Sequence, residues 1–253
     1  MGEVRFFSTT ALKAIVARLG ILVVLLLPPP HVVHGQQRPS GSGLLRQFEG
    51  EQMFWRQFEA AKAIVAANDL SVLPALESWL THEDRHLRGN AAFIFAGLRD
   101  PRGFDVIVAI LGDRSERREV HKISSVGLPD IQGQISEDRY YAAHLLGDLK
   151  DPRAIPILVP LLTDPDVNYI VPWSLGQIGN RSAITPLIGS LSDPDPSMRV
   201  LAIHALVELK ATDALPRLRR LLDDHARSNF DKFEPVAEAA RAAIAKLQSE
   251  ALR

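Results

Sequence analysis

Five segments of this sequence align without gaps, and this repetition constrains the fold more than any other feature. Each reads as an amphipathic helix with small residues near its centre, and each follows a polar turn and a shorter apolar segment. The five aligned segments are LRGNAAFIFAGL, DRYYAAHLLGDL, VNYIVPWSLGQI, MRVLAIHALVEL and VAEAARAAIAKL, starting at Leu87, Asp138, Val167, Met198 and Val236. Such units cannot bury an apolar face alone, so they must stack to form a continuous core.

The turns between the helices carry a family resemblance. DPR occurs at 100–102 and at 151–153, and LSDPDPSMR runs from 191 to 199. This pattern resembles HEAT repeats, in particular the short HEAT-like repeats of phycobilisome lyase relatives, over residues 68–247. The resemblance implies an all-α fold, a right-handed α-α superhelix (HEAT-like solenoid) of about five helical hairpins. We expect this repeat domain to span 68–253, preceded by an N-terminal capping helix at 44–67.

The N-terminus predicts export. Basic residues precede the apolar run LGILVVLLL, three prolines follow it, and small residues then favour cleavage after residue 35. We therefore expect a signal peptide at 1–35, a flexible linker at 36–43 and a periplasmic or secreted protein. The alternative is an uncleaved membrane anchor formed by residues 11–27. The chain has no cysteine, which excludes disulfides and thiolate metal sites.

Positions 3, 7 and 11 of the aligned helices lie on one stripe, because residues four apart share a helix face. The resemblance implies that these second helices line the concave surface. A solvated stripe should be rich in Glu, Lys and Arg, but this one carries aromatic and polar side chains, which favours recognition of a ligand. The predicted binding residues are Phe93, Tyr140, His144, Asp148, Tyr169, Trp173, Gln177, His204 and Glu208. The alternative is that curvature or the N-terminal segment buries them.

Two irregular features lie near this stripe. Pro172 falls inside the third aligned segment, where it should bend the helix and leave the carbonyl of Asn168 without a donor. The chain between Leu111 and Asp138 is much longer than its counterpart in the next repeat, because it contains an insertion at 114–135. Long loops are often functional, so the insertion is either a lid over the stripe or a tolerated extension.

No metal or cofactor is expected. His144 and His204 lie two repeats apart, about 20 Å at the usual spacing of packed helices, so they cannot share one ion. Phosphate loops, GxSxG elbows and HExxH motifs do not occur in the sequence. The net charge of −1 argues against nucleic acid as a partner, and a membrane is expected only through an uncleaved signal segment.

We therefore predict a non-catalytic scaffold that binds a peptide or an envelope protein on its concave face. The alternative is an enzyme or enzyme subunit acting on a small molecule or carbohydrate at a site formed by this face and the insertion. A third possibility is a structural module with a buried stripe. The repeat resemblance also points toward bilin lyases, but an exported chain would not meet phycobiliproteins. The sequence does not indicate an oligomeric state.

Overall fold

A computed structural model describes residues 41–116, 131–230 and 233–251. The predicted signal peptide, most of the predicted linker and residues 117–130 of the insertion lie outside these described residues. The described chain contains twelve α-helices, joined in several places by short 3₁₀ turns. They are α1 (Gly41–Gly50), α2 (Phe54–Ala67), α3 (Leu73–Leu76), α4 (Arg85–Gly97), α5 (Pro101–Gly112), α6 (Ile131–Leu149), α7 (Ile155–Leu158), α8 (Val171–Ile178), α9 (Ile184–Ser190), α10 (Pro196–Glu208), α11 (Leu215–Arg219) and α12 (Val236–Ala251).

The helices form five hairpins that stack in chain order. The second helices α4, α6, α8, α10 and α12 pack each against the next, and one apolar core runs through all the repeats. The described part of the chain contains no strand. The predicted all-α HEAT-like solenoid is thus confirmed. At the N-terminal end, where one capping helix was expected, α1 and α2 form two helices, and α2 packs on α4.

A repeated turn joins the hairpins. Arg99, Lys150 and Gly179 each follow a second helix with positive φ, the conformation that commonly ends helices. The next residue, Asp or Asn, then caps the following helical segment: Asp100 accepts from the backbone N–H of Arg102 at 3.0 Å. This cap satisfies an amide that lacks a partner within the helix.

The structure corrects two expectations about local geometry. Helix α8 begins at Val171, so Pro172 lies in its first turn, where an N–H would have no acceptor, and residues 165–170 form turns. The predicted bend at Pro172 is therefore wrong, and Tyr169 precedes the helix that carries Trp173. The insertion is also shorter than expected, because its last five residues already belong to α6 and Ile135 is buried.

Arginine–aspartate pairs join successive repeats. Arg139 of α6 is buried and donates from Nη1 to Asp166 at 3.0 Å and from Nη2 to Asp164 at 2.7 Å. Arg199 of α10 repeats the pattern, with its Nε 2.9 Å from Asp224. These arginines are held by intramolecular pairs and serve the stacking of repeats.

Replacing Arg139 should be costly. Arg139→Met leaves Asp164 and Asp166 with only the exposed Arg114 as a cation, and it removes a buried hydrogen bond to the Leu111 carbonyl. We therefore expect a loss of about 2–3 kcal/mol in unfolding free energy. Arg181→Met is the matched control, because the Arg181–Asp213 pair is mostly exposed and its loss should change stability by less than about 0.5 kcal/mol. Urea unfolding checks both variants, and equal losses would contradict the structural role of Arg139.

Candidate functional site

Three rings on α6 and α8 form a stacked row, here called the ring row: Tyr141, His144 and Trp173. The centroids of His144 and Trp173 are 4.5 Å apart with planes 14° from parallel, and those of Tyr141 and His144 are 6.1 Å apart at 12°. Phe58 of α2 meets the His144 ring edge-on at 5.8 Å. The rings are thus fixed by packing from α2 and from each other.

A pocket opens where the ring row ends at Trp173. This α8–α10 pocket has a volume of about 230 Å³. Its lining residues are Trp173, Gly176, Gln177, Leu201, His204, Ala205, Glu208 and Phe233. The wall is almost entirely apolar, although three of the lining residues, Gln177, His204 and Glu208, carry polar groups. Small-molecule sites are also lined mostly by apolar side chains. Phe233, from the segment before α12, packs against His204 with 5.3 Å between the ring centroids.

A close approach of α6 and α8 positions Trp173. A Cβ on Gly147 would lie 2.8 Å from the Cα of Ser174 and 3.0 Å from the Trp173 ring, so only glycine fits there without a shift. The Ser174 hydroxyl donates to the carbonyl of Ala143 at 2.9 Å across the same contact. The indole therefore rests on the backbone of α6.

A methyl group at Gly147 should disturb this contact. We expect Gly147→Ala to cost about 1–3 kcal/mol, because overpacking forces the helices apart. Gly189→Ala is the control, since a Cβ there meets nothing within 4 Å and alanine favours a helix by up to about 1 kcal/mol over glycine. Thermal unfolding compares them, and an unchanged Gly147→Ala protein would show that this contact does not constrain the helices.

The predicted site residues do not all lie at one site. Phe93 is buried against Phe58, and Tyr169 donates its hydroxyl to Asp195, the cap of α10, at 2.5 Å. Tyr140 is half-buried against the core. The remaining predicted residues, which lie along the ring row or in the pocket, are His144, Asp148, Trp173, Gln177, His204 and Glu208.

Sequence reasoning missed several contributors. Tyr141 holds a core position of the repeat, yet its ring stacks on His144 while its hydroxyl donates to Asn90. Phe58 and Phe233 come from segments outside the aligned helices, so the alignment gave them no position. The pair of phenylalanines in SNFDKFEP was the available signal, since Phe230 packs on Tyr169 and Phe233 lines the pocket.

His144 and Asp148 have perturbed acid–base properties. Burial, together with a smaller effect from the charge of Lys62, lowers the pKa of His144 to about 4. Burial also raises the pKa of Asp148 to about 6; Lys62 and Lys150 oppose this shift, and Glu59 adds to it. Both groups therefore favour their neutral forms relative to ordinary exposed side chains.

The Asp148 shift predicts a pH-dependent stability difference. Its folded pKa lies above the ordinary value, so Asp148 costs the native state stability as pH rises from about 4 to 6, and the cost is complete above pH 6. We expect Asp148→Asn to be more stable than wild type by about 3 kcal/mol above pH 6, with a smaller difference at pH 4. The His144 contribution is common to both proteins and cancels in this comparison.

Urea unfolding at pH 4, 5 and 7 measures this difference. Asp213→Asn is the control, since Asp213 is 64% exposed and should show no such trend. A difference between wild type and Asp148→Asn that stays constant over this pH range would contradict the account of Asp148.

The second histidine of the pocket has different surroundings. The His204 side chain is 46% exposed, and its Nε2 lies 4.0 Å from Glu234. Burial lowers its pKa, with Glu234 and Glu208 acting in the opposite direction. Within the described ranges, no three His, Asp or Glu side chains are close enough to hold a metal ion.

Comparisons with known proteins bear on the family. Residues 134–187 and 164–230 match the family model for HEAT repeats. The chain is 40% identical over 97 residues to the phycocyanobilin lyase subunit alpha of Synechococcus elongatus, covering 34% of this chain and 36% of that protein. It is 31% identical over 150 residues to the bilin biosynthesis protein PecE of a Nostoc species, covering 58% of this chain and 54% of that protein. The chain thus spans between about a third and about half of the curated relatives it matches.

The predicted resemblance is confirmed: residues 134–230 match HEAT repeats, and the two relatives above are named for phycocyanobilin lyase and bilin biosynthesis. The structure is also similar to the crystal structure of an engineered protein, with a TM-score of 0.43 and 19% sequence identity. The match covers 83% of this chain and 96% of the engineered chain. That similarity is too low to support any argument about the site.

The comparisons overturn three expectations. A non-catalytic scaffold and a chain that is not an enzyme are both contradicted, because the relatives are named as a lyase subunit and a bilin biosynthesis protein. Periplasmic or secreted localisation is contradicted by the same relatives, since export was expected to keep the chain from phycobiliproteins. None of the described helices is long and apolar enough to cross a bilayer.

Proposed function

We propose that this chain is an enzyme subunit that acts on a bilin, which it binds through the ring row and the α8–α10 pocket. The observation that carries the proposal is the half-buried face of Trp173, which is held by His144 and lines the pocket. Relatives named for phycocyanobilin lyase and bilin biosynthesis support the choice of ligand. A protein partner fits this proposal, because one relative is named as a subunit.

The size of the pocket indicates how such a ligand would lie. Whole drug-sized ligands occupy about 300–1,000 Å³, so a pocket of about 230 Å³ takes only part of an open-chain tetrapyrrole. One or two pyrrole rings would enter it and stack on Trp173. The rest of the pigment would continue along the repeats, where the row of second helices offers further contact.

The polar groups of the pocket suit pyrrole rings. Gln177 and Glu208 are among the residues that line it, and the oxygen atoms of their side chains can accept hydrogen bonds from N–H groups. Leu201, Ala205 and Phe233 provide apolar surface for the flat ring faces. An apolar slot lined by two residues that carry acceptor oxygens suits a conjugated pigment with N–H groups along its edge.

Removing the indole should weaken binding of phycocyanobilin. We expect Trp173→Leu to raise Kd about tenfold, because the loss of an aromatic stack costs up to about 1.5 kcal/mol. Trp55→Leu is the control, since Trp55 is an exposed tryptophan on α2 outside the pocket. Titration of the full chain, followed by the pigment's own absorbance, avoids any dependence on tryptophan fluorescence.

Two outcomes would contradict the proposed function. One is a wild-type chain that does not change the pigment spectrum at any accessible concentration. The other is an equal effect of both tryptophan replacements, with helicity verified by circular dichroism, because that would place the pigment away from the pocket.

A further inference from the structure

The imidazole of His144 is held in place, and its Nδ1 makes no hydrogen bond to the described residues. Its ring is stacked between Tyr141 and Trp173, and its Nδ1 is buried without a hydrogen-bond partner. The Oδ2 atom of Asp148 lies 3.8 Å from that nitrogen, one helical turn away, which is beyond hydrogen-bond distance. Packing against Tyr141, Trp173 and Phe58 therefore sets the ring plane, and the carboxyl beside it is not engaged by the imidazole.

Asp148 also lies on the row that forms the polar side of the pocket. Gln177 and Glu208 line the pocket from equivalent positions of α8 and α10, and Asp148 holds that position on α6, the preceding second helix. Neighbouring packed helices are about 10 Å apart, so Asp148 lies about one helix spacing beyond Gln177. A chain of four pyrrole rings is long enough to occupy the pocket and still reach this carboxyl.

We propose that Asp148 exchanges a proton with an imine-type ring nitrogen of the bound bilin. This inference rests on the proposed function. The proton moves from the Asp148 carboxyl to the ring nitrogen, which gains a positive charge. The carboxylate that remains then accepts a hydrogen bond from the new N–H group. A cationic ligand beside it offsets the unfavourable burial of the carboxylate.

The charged groups near Asp148 suit such an exchange. Lys62 and Glu59 of α2 act on it from one side and Lys150 from the end of α6. Lys62 is paired with Glu59 at 2.7 Å, so its charge is partly compensated. Burial holds the pKa of Asp148 near 6, where the carboxyl passes between its two forms close to neutral pH.

The test is a pH titration of phycocyanobilin bound to the full chain, because protonation of a bilin shifts its absorbance to the red. We expect the protonation midpoint of the bound pigment to fall by about one pH unit or more in Asp148→Asn, the usual effect of losing a nearby opposite charge. Asp148→Glu, which keeps the acid, should retain most of the wild-type midpoint. Asp213→Asn, an exposed change elsewhere, should match wild type.

The outcomes separate the two proposals. A wild-type chain that binds no pigment overturns the proposed function. Pigment binding with the same midpoint in wild type and Asp148→Asn overturns only the role of Asp148. A midpoint that falls equally in Asp148→Asn and Asp148→Glu also overturns it, because a general disturbance of the helix would then explain the change. Circular dichroism of each variant verifies the fold.

Discussion

The close contact between α6 and α8 at Gly147 supports the rest of the site. Because Gly147 has no side chain, the backbone of Ser174 approaches α6 closely enough for its hydroxyl to bond the carbonyl of Ala143. That approach places Trp173 flat against His144. A stacked pair of rings on neighbouring helices is therefore a consequence of one missing Cβ at the centre of the repeat.

The chemistry of the site follows from the same packing. His144 is stacked between two rings, and both His144 and Asp148 are largely buried, so both groups lose hydration. The pKa of His144 is lowered and the pKa of Asp148 is raised, and each shift favours the neutral form. Between the repeats the arrangement is the reverse, because Arg139 and Arg199 neutralise aspartates of the next repeat. Ion pairs thus stabilise the stacking of the repeats, whereas burial at the candidate site favours the neutral forms of His144 and Asp148.

The gap-free alignment predicted the repeats and the helix faces, because a solenoid places equivalent residues equivalently. His144, Trp173, Gln177, His204 and Glu208 were proposed as binding residues in this way, and they lie along the ring row or in the pocket. Contacts made by residues outside the aligned helices could not be predicted from the alignment. The positions of Phe58 and Phe233 depend on how α2 and the segment before α12 pack against the repeats. Pro172 was misplaced because the helix pattern was extended one turn too far, a common error at helix ends.

The functional prediction failed for a different reason. An apolar run at 19–27 was taken as a signal for export, and export argued against a role with phycobiliproteins. The small-molecule enzyme, which the relatives support, therefore remained only the alternative. Local hydropathy indicates only whether one segment favours water or a membrane. The ring row and the pocket indicate what kind of ligand the repeats can bind. The two kinds of signal concern different parts of the chain, so one cannot decide the other.

The most direct measurement is a crystal structure of the full chain with phycocyanobilin bound. The account predicts electron density for at least one pyrrole ring against Trp173 in the α8–α10 pocket, with the pigment extending toward Asp148. Pigment bound elsewhere on the chain, with the pocket open and the Trp173 face uncovered, would contradict it.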